Sequence, residues 1–128
     1  MSRSELRAKD EAPYPAAIAA GVQLIMVSWA IYRAMDAAYP AGLSSTVVQG
    51  ELRRRLGYRG VTITDALEAG ALTAFGSSEQ HARLAAQAGI DLLLCSAQDP
   101  SQGQAVTSTL ASALDSGQLD PASFNAAV

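Results

Sequence analysis

Apolar residues along the chain gather in three short runs: Val22-Gln-Leu-Ile-Met-Val-Ser28, Val61-Thr-Ile-Thr64 and Ile90-Asp-Leu-Leu-Leu-Cys95. A glycine precedes each run (Gly21, Gly60 and Gly89), and aliphatic or β-branched residues dominate. Strict alternation of polar and apolar positions is missing, so the runs are predicted to be strands buried on both faces. The stretches between them have helical spacing. Ser44 or Ser45 is placed to cap a helix through Val47, Val48, Leu52 and Leu56 that stops at Gly57. Ser77 or Ser78 is placed to cap a second, through Ala82, Leu84 and Ala85 to Gly89. Asp99-Pro100-Ser101 opens a third that ends near Gly117, and Asp120-Pro121 opens a fourth with proline at the favoured first position. Pro13 to Ala20 is predicted to be a helix leading into the first strand.

The predicted order is therefore α-β-α-β-α-β-α-α, with no linker and no low-complexity tract. Strands that alternate with helices imply an α/β class with parallel pairing and right-handed crossovers. Three parallel strands leave two edges that need covering. A complete (β/α)₈ barrel takes about 250 residues, whereas this chain has 128. A small three-layer α/β sandwich fits the same pattern, and periodicity does not choose between the two.

Composition narrows the classes. Hydrophobic residues make up 49% and charged residues 16%, enough for a core and unlike a disordered chain. The net charge of −3 gives nucleic acid nothing to hold, and the run Arg53-Arg54-Arg55 reads as the solvated face of a helix. The longest apolar run, Val22 to Ile31, is too short to span a bilayer. One cysteine, Cys95, permits no internal disulfide and reads as a small buried apolar residue. No Cys/His cluster has zinc spacing. Met1 to Asp10 is polar and mixed in charge, unlike a signal peptide. A cytoplasmic protein that engages neither membrane nor nucleic acid is expected.

Ligands of α/β folds gather at the carboxyl ends of the parallel strands. Of the three strand ends, Ser28-Trp29-Ala30, Thr64-Asp65-Ala66 and Cys95-Ser96-Ala97, only the second carries a carboxylate. In a barrel, Asp65 would project from the catalytic face, where a carboxylate can attack an anomeric carbon. Asp65-Ala66-Leu67-Glu68 also matches a helix start, with Asp65 as cap and Glu68 three residues on. From spacing alone the cap is the simpler reading.

The segment Leu56-Gly57-Tyr58-Arg59-Gly60-Val61-Thr62-Ile63-Thr64-Asp65-Ala66-Leu67, followed by Glu68-Ala69-Gly70-Ala71, resembles glycoside hydrolase family 3. In that family a helix ending in Leu-Gly-aromatic-x-Gly precedes a strand carrying Thr-Asp-x-Leu and then Gly-Ala. The resemblance is to the bacterial β-N-acetylglucosaminidase branch. It extends to Ala17 through Ser28 with Tyr32 and Asp36, to Pro40-Ala-Gly-Leu-Ser44, and to Ala88-Gly-Ile-Asp-Leu-Leu-Leu94. It implies a partial TIM (β/α)₈ barrel, about the last three βα units in the C-terminal part of the catalytic barrel. Residues 13–128 would form that part and residues 1–12 a polar N-terminal segment.

The resemblance further implies a retaining, metal-free hydrolysis of terminal β-linked sugars, N-acetylglucosamine above all, with Asp65 as nucleophile and no cofactor. Ser28 and Trp29 stand where the preceding strand opens into the sugar site, so both are candidates for substrate binding. Packing of Trp29 against a neighbouring helix is the competing role.

A retaining glycosidase also needs an acid that later acts as base. The family's Lys-His-Phe-Pro-Gly motif and the Asp-x-His loop that carries this pair do not occur in these 128 residues. His81, the single histidine, reads as a surface residue of a helix, and Glu68 offers a carboxyl whose simpler role is capping. Family members often carry methionine near the position of Ala69, so that side of the pocket differs. The isolated chain is expected to be inactive. The alternative is a non-catalytic half-barrel that self-associates or complements a separate N-terminal half.

Overall fold

The computed structural model describes residues 1–127. Three parallel strands, β1 (Leu24–Val27), β2 (Val61–Ala66) and β3 (Leu92–Leu94), form one sheet in the order β1-β2-β3. Leu24 pairs with Val61 and Val27 with Thr64, while Ile63 pairs with Leu92 and a register shift lies between Ile63 and Ala66. The described residues also form five α-helices: α1 (Arg3–Lys9), α2 (Tyr14–Ala19), α3 (Ser78–Ala88), α4 (Pro100–Asp115) and α5 (Pro121–Asn125).

Local chemistry explains the helix ends. Ser77 caps α3 in a reciprocal capping box with Gln80, and Gly89 closes it at φ +92°, a left-handed turn that favours glycine. Asp99 caps α4 by accepting the Ser101 N–H. Asp120 does the same for α5 from Ala122 and Ser123. In α1, Ser2 and Glu5 form a second capping box.

Between β1 and β2 the chain forms a ten-residue π-helix, Thr46–Arg55, where an α-helix was expected. Its wider turn shows in the Leu56 N–H, which donates to the carbonyl of Glu51 five residues back.

The expectation of strands buried on both faces is corrected. Side chains alternate across a strand, so Leu24, Met26, Val61, Ile63 and Leu92 share one face. Of these, Leu24 and Met26 remain 50% and 53% exposed, and Val61 and Leu92 are exposed too. The opposite face carries Val27, Thr62 and Thr64, all buried. It packs into a core with Val48, Leu52, Tyr58, Leu67, Leu72, Ala82, Ala85, Ile90 and Val106. One-sided cover has replaced the two-sided cover that parallel sheets ordinarily need.

Of the three arginines, Arg54 and Arg55 are exposed as expected, whereas Arg53 turns inward. Arg53 donates to Asp91 at 2.6 Å and also to the carbonyl of Gly60 and to Thr62 Oγ1. Asp91 in turn accepts the Thr62 N–H at 2.7 Å and the Thr62 hydroxyl at 2.8 Å. This network ties the π-helix to the entrances of β2 and β3. Arg55 pairs with Glu11 and Glu51, and Arg7 forks onto both Glu51 oxygens at 2.7 and 2.9 Å, which docks α1. Arg54 alone of the run lacks such a partner among the described residues.

Candidate active site

The parallel register brings the ends of β1 and β2 side by side. Val27 and Thr64 are the last paired residues, so Ser28 and Asp65 follow them as neighbours. Asp65 continues the face of Val61 and Ile63, and Ser28 that of Leu24 and Met26. Both therefore stand at the carboxyl end of the open face of the sheet.

Asp65 is the fifth residue of β2 and half-buried. It caps no helix: the short 3₁₀ turn that follows, Gly70–Phe75, starts from Ala69. Its Oδ1 accepts the N–H of Ala66 at 2.7 Å. Among the described residues no other donor reaches the carboxylate, which leaves Oδ2 with its lone pairs free.

Glu68 is engaged elsewhere. It accepts the side-chain N–H of Gln102 at 2.9 Å and both the hydroxyl and the N–H of Ser96. The Gln102 hydrogen bond, with that of Ser96, holds its carboxyl down to about 2. A carboxyl ionised to that degree is no proton donor for a leaving group near neutrality. Its role is to join the exit of β2 to the loop between β3 and α4.

Trp29 is 7% exposed and belongs to the core. Its indole N–H donates to the carbonyl of Ala66 at 2.9 Å, and its ring lies flush on Gly42, where an added Cβ would stand 2.5 Å from Cζ3. Ser28 is exposed, and its hydroxyl accepts the Ala30 N–H at 3.3 Å. Asp36 shapes the loop after β1, accepting the Ser44 hydroxyl at 2.6 Å and the N–H groups of Ala38 and Tyr39. The Ser44 bond, ahead of the backbone bonds, holds its carboxyl below the usual range.

His81 is not on the surface. It is 4% exposed, and its Nδ1 lies 2.8 Å from the carbonyl of Leu67. The burial follows from its place on the face of α3 that also carries Ala82 and Ala85. Cys95 is half-buried, and burial pushes its thiol up, away from a nucleophilic thiolate. Among the described residues, no three His, Cys, Asp or Glu side chains converge as a metal site, and no helix is long and apolar enough to cross a membrane.

The model of the glycosyl hydrolase family 3 N-terminal domain matches residues 1–128. The chain belongs to glycosyl hydrolase family 3. The matched unit is described as the family's N-terminal domain, and that description replaces the expected C-terminal part of the barrel.

A secreted glycosyl hydrolase of Arthroderma benhamiae, itself described as uncharacterized, is 51% identical over 124 residues, which is 97% of this chain and 35% of that protein. A β-hexosaminidase of Nitrosomonas eutropha is 35% identical over 121 residues, 91% of this chain and 34% of that protein. A solved family 3 β-N-acetylglucosaminidase from a Paenibacillus species superposes with a TM-score of 0.93 at 34% identity, over 99% of this chain and 24% of that one. The chain thus spans about a third of the curated relatives it matches.

Proposed function

We propose that this chain carries the nucleophile of a retaining β-N-acetylglucosaminidase. The observation that carries this reading is the placement of Asp65 at the end of β2, on the open face beside Ser28, with one carboxylate oxygen unengaged. In the reaction Asp65 attacks the anomeric carbon as the bond to the leaving oxygen breaks, and a glycosyl ester forms. The leaving oxygen takes a proton from an acid, and the same group as base then activates the water that cleaves the ester. No residue at this site fills that role, since Glu68 stays ionised and His81 is buried. The pair is assigned to a part of the barrel beyond these residues, and the chain by itself is inactive.

The names of the β-hexosaminidase and β-N-acetylglucosaminidase relatives support the choice of sugar. In this reading the three strands are units of a (β/α)₈ barrel whose interior is the open face. Ser28 offers its hydroxyl to the sugar, and Trp29 acts from behind the strand end. The test places residues 1–128 in the matching segment of the Arthroderma benhamiae relative and follows hydrolysis of an aryl β-N-acetylglucosaminide. The chimera turns over, and Asp65→Asn reduces turnover by about three orders of magnitude or more. Equal activity in the Asp65→Asn chimera defeats the assignment.

One observation favours a second reading, a half-barrel that associates without catalysis. Leu24, Met26, Val61 and Leu92 form an exposed apolar face. A groove of about 260 Å³ also runs along the β1 edge, lined by Leu6, Tyr14, Ile25 and Tyr32 among others. Light scattering across concentration separates the readings: a monomer at all concentrations removes self-association.

A further inference from the structure

All four backbone polar groups of Ala66 and Leu67, the two residues after Asp65, are engaged. The Ala66 N–H goes to Asp65 Oδ1 at 2.7 Å. The Ala66 carbonyl accepts Trp29 at 2.9 Å and the Ala69 N–H at 3.1 Å. The Leu67 N–H donates to the carbonyl of Leu94 at 3.1 Å. The Leu67 carbonyl faces His81 Nδ1 at 2.8 Å. Three separate elements, the loop after β1, the end of β3 and helix α3, therefore hold one dipeptide.

The His81 contact fixes the chemistry of the ring. A carbonyl oxygen can only accept, so the hydrogen must sit on Nδ1. His81 Nε2 is buried and has no partner among the described residues. A histidine whose second nitrogen goes unpaired in the core is a costly way to fill space that leucine fills without orphaned polar atoms. The residue is explained by what Nδ1 does.

We propose that His81 is a positioning residue for Asp65. Its Nδ1–H anchors the Leu67 carbonyl to α3, and with Trp29 on the Ala66 carbonyl it fixes the two peptides next in the chain after the Asp65–Ala66 peptide, whose N–H meets Asp65 Oδ1. The inference deepens the reading of Asp65 as nucleophile and rests on it. His81 touches no substrate and exchanges no proton in this role. Its effect on the reaction runs through the direction in which the carboxylate points, the kind of support a reactive side chain needs from its surroundings.

Amide hydrogen exchange by NMR tests this on the full chain, with no need for catalysis. In the wild type the Leu67 amide is protected and the His81 hydrogen is on Nδ1. His81→Leu speeds Leu67 exchange by about tenfold and shifts the Asp65 carboxyl carbon resonance, while the amides of Ala82 and Ala85 keep their protection. His81→Asn, whose Nδ2 can take the place of Nδ1, restores both signals.

An unprotected Leu67 amide in the wild type, or a ring protonated on Nε2 alone, overturns the proposal. So does His81→Leu exposing α3 as much as Leu67, which is a merely structural effect, or His81→Asn behaving like His81→Leu. These outcomes leave the nucleophile assignment standing, and the chimera's loss of Asp65 dependence would leave the Leu67 anchor standing.

Discussion

The indole N–H of Trp29 donates to the carbonyl of Ala66 across 2.9 Å, which ties the loop after β1 to the residue that follows Asp65. Trp29→Phe keeps most of the buried ring and removes the donor. The Ala66 carbonyl retains the Ala69 N–H, so the expected loss is about 1 kcal/mol in urea unfolding followed by circular dichroism. Gly42→Ala attacks the same contact from the other side, because its methyl would overlap the Trp29 ring. It costs about 1–3 kcal/mol through overpacking. In a double-mutant cycle the two changes couple. Strict additivity would show that ring and glycine do not press on each other.

The buried charge network at the strand entrances is the second target. Asp91→Ala leaves the Arg53 guanidinium and the Thr62 N–H without their acceptor, at an expected cost of about 3–5 kcal/mol. Arg53→Leu combined with Asp91→Leu removes both charges and costs less than Asp91→Ala alone. Urea midpoints that rank the two variants the other way would show the pair to be peripheral to folding.

Glu68 predicts a pH dependence. Folding lowers its carboxyl from 4.5 to about 2 through Gln102 and Ser96. Stability from this group is therefore fully present above the unfolded value and is lost as the pH falls through the folded one. The stability gap between wild type and Glu68→Gln should be constant at neutral pH and shrink between about 4.5 and about 2. A gap that stays the same across that window would mean that the Ser96 and Gln102 bonds do not hold the carboxylate in solution.

Much of this was legible in the sequence. Aliphatic or β-branched runs, each preceded by glycine, marked the three strands, and Ser77 or Ser78, Asp99 and Asp120 marked the starts of α3, α4 and α5. Helix α1 escaped notice although Ser2 and Glu5 spell a capping box. Its polar composition hid that only Leu6 is buried there and that Arg7 docks it through Glu51.

Other features depend on three dimensions. Asp65 as cap and Asp65 at a strand end share one local pattern, and only the start of the next turn at Ala69 separates them. His81 looked like a surface residue because its partner is a backbone carbonyl fourteen positions away, which no side-chain pattern records. Strand burial was misjudged for a related reason. An apolar run shows that a face avoids water without showing what covers it.

The exposed face of the sheet yields a further expectation. Met26→Lys with Leu92→Lys places two charges among Leu24, Val61 and Ile63. If copies of the chain bury this face against each other, light scattering shows wild-type mass rising with concentration and the double variant monomeric. If the wild type is monomeric throughout, self-association is excluded.

The most direct test of Asp65 as nucleophile is to trap its ester. The chimera described above, treated with a 5-fluoro N-acetylglucosaminyl fluoride that slows the second step, is digested and examined by mass spectrometry. One sugar should be found on the peptide that contains Asp65, and none in the Asp65→Asn chimera. A sugar carried by any other residue, or a hydrolytically active chimera that labels equally after Asp65→Asn, would show that the nucleophile lies elsewhere.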